Sequence, residues 1–116
     1  MTLFVFDFGG TLDTLPKPAL YVANLLAKHP DADVVLCTGL DMHSIHAQAP
    51  MLCGVVMDVW HKPVDIAAKV AGLALDRLVV VDDEDSIRSM VARSLRKSTI
   101  PRIEILDPSH LPSLLE

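Results

Sequence analysis

Four short groups of residues in this chain carry side chains able to do chemistry: Asp7 with Gly9-Gly10-Thr11 behind it, Thr38-Gly39, His61-Lys62, and the pair Asp82-Asp83. Each group follows directly on an apolar run: "LFVF", "VVLC", "VVMDVW" and "LVVV". A carboxylate can act as a nucleophile and form an aspartyl-phosphate. A second carboxylate beside it makes sense with Mg2+ between the two, because two anions without a cation repel. A hydroxyl and an ammonium can hold phosphate oxygens and stabilise charge in the transition state. An acid, a hydroxyl, an ammonium and an acid pair together have the makings of a phosphoryl-transfer site. Taken singly, each has a plainer use: Thr38 can cap a helix, Lys62 can be solvated ahead of Pro63, and Asp82-Asp83 can cap the helix that follows.

The elements that must position these residues alternate along the chain. "TLFVFD" reads as a strand buried on both faces, and "DVVLCTG", "CGVVMDVW", "RLVVVDD" and "RIEIL" as four more. Between them lie helical segments. "PALYVANLLAKH" carries Leu20, Ala23, Leu26 and Ala27 at helical spacing, and "DMHSIHAQA" has Asp41 as N-cap. "KPVDIAAKVAGL" carries an apolar stripe of Val64, Ile66, Ala67, Val70 and Leu73, "EDSIRSMVARSLRK" is amphipathic, and "SHLPSLLE" closes the chain as a short helix. Alternating strands and helices, with near-continuous apolar strands, predict a three-layer α/β/α Rossmann-like domain built on a five-stranded parallel sheet. Such sheets bind ligands beyond the carboxyl ends of their strands, where all four polar groups fall.

Length and composition bound the reading. At 116 residues, with 51% apolar and 22% charged, the chain is expected to form one domain spanning residues 1–116. A net charge of -5 gives no support to a nucleic-acid or anionic-membrane surface, and "RSLRK" (Arg93 to Lys97) is the one local basic cluster. Cys37 and Cys53 lack CxxC spacing and read as free thiols in apolar surroundings. "MTLFVF" has no basic n-region and no apolar run reaches membrane-spanning length, so a cytoplasmic location and no membrane partner are expected. His43 and His46, three apart on a helix, have no third ligand in view and read as solvated.

In order and content, "FVFDFGGTLD", "VVLCTG", "HKP" and "VVVDDED" resemble the four motifs of the haloacid dehalogenase-like superfamily, most of whose members are Mg2+-dependent phosphatases. The resemblance spans Asp7 to Asp85. It implies Asp7 as nucleophile and metal ligand, with the Gly9 backbone carbonyl as a further ligand. Thr38 and Lys62 are the implied catalytic phosphate binders, and Gly10, Thr11 and Gly39 line the phosphate. Asp83 completes the metal site with Asp82 secondary and Asp85 a weaker supporting residue, and Mg2+ is the implied cofactor.

Two departures accompany the match. The second Asp of the first motif, which protonates the leaving group, is Gly9 here. Loss of a general acid-base costs about 10²–10⁴-fold in rate. Asp13 is the one candidate to replace it, and the family's later acid falls near Ile87. There is also no room for a cap domain. In the family, an open site goes with macromolecular substrates, or with small ones when a partner chain acts as lid. Trp60 and His61 are candidates to touch such a substrate, although Trp60 is the better candidate for core. The function expected is a phosphohydrolase, slow or specialised, acting on a phosphorylated small molecule or macromolecule; the alternative is a non-catalytic phosphate- or Mg2+-binding module.

Overall fold

In a computed structural model describing all residues from Met1 to Glu116, the strands are β1 (Thr2–Phe6), β2 (Ala32–Cys37), β3 (Asp58–Trp60), β4 (Arg77–Val81) and β5 (Arg102–Leu106). They form one all-parallel sheet in the order β3-β2-β1-β4-β5. Every residue of β1 is buried, as expected for a central strand covered on both faces. Its side chains divide by the two-residue period of a strand: Phe4 and Phe6 enter one core, Leu3 and Val5 the other.

The first core lies under α1 (Pro18–Lys28) and α2 (Met42–Gln48), the second under α3 (Ile66–Ala71) and α4 (Asp85–Ser94). This is the three-layer α/β/α arrangement that the alternating pattern predicts. Pro18 opens α1, where a missing N–H costs nothing, and Asp41 caps α2 by accepting from the Ser44 amide at 2.8 Å. No helix is long and apolar enough to cross a membrane.

Four local expectations need correction. The third strand is only Asp58–Trp60. Leu52–Gly54 is a 3-10 turn entered through Met51 at φ 71°, so Val55 and Val56 pack on the first core from a loop rather than a ladder. The buried face of α1 is Tyr21, Val22 and Leu25, rotated from the expected stripe; Leu20 is exposed. Tyr21 sets this rotation, because its hydroxyl donates to the Leu111 carbonyl at 2.6 Å across the core. Val64 lies outside α3, exposed in a 3-10 turn (Pro63–Asp65). The expected closing helix is two 3-10 turns, Pro108–His110 and Ser113–Leu115; Leu111 between them and Leu114 in the second complete the first core.

Candidate functional site

Register decides what stands beside what. Phe6 at the end of β1 pairs with Leu36 of β2 and Val81 of β4, so the next residue, Asp7, lies level with Cys37 on one side and Asp82 on the other. Successive strands are laid outward from β1 toward β3, and the chain then crosses to β4 on the other side. The gap between β1 and β4 is therefore the topological switch point, where neighbouring loops diverge and leave a crevice. Asp7, Asp82 and Asp83 meet there, each offering a carboxylate oxygen within 4.8 Å of the other two.

Each acid is held differently. Asp82 is buried, its Oδ1 accepting from the Glu84 amide at 2.9 Å as the chain turns into α4. Asp83 is exposed and reaches over Gly10. Gly10 adopts φ +76°, the left-handed region that favours glycine, and a Cβ there would also force the exposed Asp83 carboxylate to move. Asp7 is half-buried between them.

The electrostatic consequence is large. Burial raises the Asp7 carboxyl from 3.8 to about 8, helped by the charge of Asp82 and by a hydrogen bond with Asp83 that favours the protonated form. Burial also raises Asp82, against the Glu84 amide and the Arg88 guanidinium, which lower it. The Cys37 thiol is pushed up to about 12 by burial first and then by Asp7 and Asp82, which makes it inert as a nucleophile at neutral pH.

The remaining expected site residues spread outward. Thr38 extends the β2–β3 ladder, its amide donating to the Trp60 carbonyl at 2.8 Å, and its buried Oγ1 accepts from the Leu40 amide at 3.3 Å. Gly39 is exposed beside it. His61 donates from Nδ1 to the Thr38 carbonyl at 3.1 Å. Lys62 follows β3, two strand spacings or about 10 Å from β1, and is exposed with no ion-pair partner. Thr11 is fully buried with its hydroxyl unpartnered, so it is not presented to solvent at the edge. Trp60 is buried core, its ring covered by the Lys69 ammonium at 5.6 Å, and is not available to a substrate. His43 and His46 are exposed and belong to no cluster of metal-ligating groups.

At Gly9 the surroundings are open: a Cβ would meet nothing within 4 Å. Neither backbone conformation nor packing therefore demands glycine there. Asp13 is occupied, its Oδ1 accepting from the Gly10 amide at 2.7 Å and pinning the loop.

Arg88 was not among the residues singled out by sequence. From α4 its guanidinium donates to the Asp82 carbonyl at 2.7 Å and pairs with Asp85, so Asp85 serves the turn through Arg88. The signal was present as an Asp85/Arg88 pair at i, i+3 in the first turn of a helix.

Asp7, Asp82 and Asp83 line none of the three hollows formed at α3/α4, at Leu15–Tyr21 with Leu115, and at Pro16–Leu20 with Gln48–Met51. Between Asp13 and β2 the chain holds a 3-10 turn and α1, and between β3 and β4 a 3-10 turn and α3, so no inserted domain covers their edge of the sheet. Comparison with protein-family models, with curated proteins and with solved structures finds no match to this chain.

Proposed function

We propose that this protein is a Mg2+-dependent phosphohydrolase of the haloacid dehalogenase-like type, with Asp7 as the nucleophile. The observation that carries the proposal is the convergence of Asp7, Asp82 and Asp83 at the switch point of a parallel sheet. Three carboxylates this close hold together in water only when a proton or a cation neutralises part of their charge. The Arg88 guanidinium, which lowers the Asp82 carboxyl, is engaged by Asp85 and by the Asp82 carbonyl.

The donor set suits Mg2+. All three side chains offer hard oxygen ligands, and 4.8 Å accommodates the oxygen–oxygen separations around an ion with metal–oxygen distances of about 2.1 Å. Asp7, Asp82 and Asp83 would hold it, with the Gly9 carbonyl as a further ligand. Bound there, the ion supplies the positive charge that lets the three acids ionise together and offsets charge on a phosphate.

The chain's own residues supply the rest. Ionised Asp7 attacks phosphorus, a phosphorus–oxygen bond forms on its carboxylate, and the bond to the leaving oxygen breaks. Water then cleaves the aspartyl-phosphate. Thr38, one residue beyond the Cys37 that stands level with Asp7, and Lys62, one strand further, are the groups this reading assigns to the phosphate oxygens. Gly9 contributes no proton to the leaving group, so leaving groups of low pKa are the preferred substrates. The uncovered edge admits both small and macromolecular phosphates.

A second reading keeps the cation and the phosphate but not the turnover. It is favoured by Gly9, where an acid would fit and none stands, and by Asp13, whose carboxylate is tied to the Gly10 amide.

The two readings separate in an assay of p-nitrophenyl phosphate and an unactivated alkyl phosphate with Mg2+. Wild type is expected to turn over the first and barely the second, Asp7→Asn neither, and Gly9→Asp both. Turnover that survives Asp7→Asn removes the mechanism. Tight Mg2+ binding with no turnover by wild type selects the binding-module reading.

A further inference from the structure

We propose that the cavity between the C-terminal ends of α3 and α4 binds a small organic anion, an acidic head group on a compact apolar body, at a site separate from the acid cluster. The cavity is about 300 Å³, the lower end of the range for small-molecule sites. Its walls are apolar: Ala67 and Val70 from α3, Leu73 beyond it, and Leu95 and Ile100 beyond α4.

Its lip differs in chemistry. Lys97, Ser98 and Thr99 form it, and no carboxylate lines the cavity anywhere. The Lys97 ammonium enters no ion pair, and neither the Lys97 nor the Thr99 amide finds a backbone acceptor. The Ser98 hydroxyl accepts from the Ile100 amide at 3.2 Å and keeps its own proton to donate. The lip is thus rich in free donors, the arrangement that recognises an oxyanion.

Arg93 and Arg96 stand close by in sequence, both exposed and without an ion-pair partner. The "RSLRK" run thus gathers three unpaired cations in a chain of net charge -5. Cations at a helix C-terminus complement its dipole, which accounts for their sign. It does not account for an apolar hollow opening beside them. A hollow bounded on several sides by aliphatic side chains also fits a small ligand better than a nucleic-acid backbone, which follows extended basic surfaces.

Both helices run back from the carboxyl edge of the sheet, so their C-terminal ends lie near its amino edge. The five residues of β4 put about 16 Å between that edge and Asp82. The two sites are accordingly independent, and each is tested without the other.

The test is an amide chemical-shift titration of the full-length protein in EDTA, so that no divalent cation occupies the acids. Hexyl phosphate and hexanoate are the probes, with hexanol and inorganic phosphate as controls. At least one of the two amphiphilic anions is expected to give saturable shifts at Val70–Leu73 and Leu95–Ile100 and none at Asp7–Thr11. Comparing the two identifies the head group. Each control is expected to bind at least about tenfold more weakly, and Lys97→Glu to weaken the anion about tenfold or more. Ala71→Trp, on an exposed helix end lining the hollow, is expected to block binding while leaving the rest of the spectrum unchanged. Three results overturn the proposal: no saturable shift from either anion at millimolar concentration, hexanol binding as tightly as the anions, or shifts confined to Asp7–Thr11.

Discussion

Asp7→Asn is expected to stabilise the metal-free protein, and to do so increasingly as pH rises above the ordinary carboxylate range toward 8. The folded chain holds the Asp7 carboxyl at about 8, whereas the unfolded chain releases its proton near 3.8. Between those values the folded state binds a proton that the unfolded state has lost, so stability falls as pH rises through this window and levels off above it. At 1.36 kcal/mol per decade the full displacement amounts to an upper bound of about 6 kcal/mol. Burial is the larger cause and the charges of Asp82 and Asp83 the smaller, and water reaching the half-buried group screens both, so about 2–3 kcal/mol is expected. For a domain of this size that is a rise in melting temperature of roughly 10 °C. Asparagine has the same shape and no charge, so packing is preserved. Thermal melts followed by circular dichroism, in EDTA at half-unit steps from pH 4 to 9, read the effect. The two proteins should melt together near pH 4 and diverge steadily toward pH 8. Saturating Mg2+ should then raise the wild type by much more than the variant, because the ligand binds the folded state of one and has lost a carboxylate in the other. An Asp7→Asn protein no more stable than wild type at pH 8.5, or a gap that is constant with pH, would refute the argument that burial and neighbouring charge oppose ionisation of Asp7.

Other residues give sharper local tests. Gly10→Ala places a side chain at positive φ and against the Asp83 carboxylate. It should cost about 1–2 kcal/mol in urea denaturation and weaken Mg2+ binding by calorimetry more than Gly9→Ala, which meets no obstruction. Arg88→Ala removes a charged donor from the Asp82 carbonyl, and a loss of about 1.5–3 kcal/mol is expected, with Arg88→Lys recovering only part because it cannot hold Asp85 and the carbonyl in one fork. Tyr21→Phe leaves the Leu111 carbonyl without its donor and should cost about 1 kcal/mol, with faster amide exchange confined to the segment after Asp107.

Much of the fold was legible because apolar runs in a parallel sheet are nearly continuous, and the five runs stand out against their polar neighbours. Their boundaries were less so. The run from Cys53 to Trp60 is mostly apolar with three valines, yet only its last three residues form the strand, because Met51 turns into the left-handed region and the chain rejoins the sheet late, at an edge. The face of α1 was misjudged for a different reason. Its apolar residues leave two rotations open, and the choice is made by Tyr21 reaching Leu111, ninety positions away.

The sequence by itself determined that a carboxylate, a hydroxyl, an ammonium and an acid pair end successive strands, because each group follows its apolar run without a break. It also determined that Gly9 stands two positions after Asp7, where the resembling family has an acid. Strand order lay beyond it. Only the tertiary structure put β4 beside β1, so that Asp7 and Asp82 stand level with Asp83 alongside, and sent β3 to the edge, carrying Lys62 outward. Pairing depends on crossovers and packing across the whole sheet, which no local stretch encodes. The same global arrangement decides which glycine is required: Gly10 is hemmed in by a carboxylate brought from 73 positions away, while Gly9 faces open space.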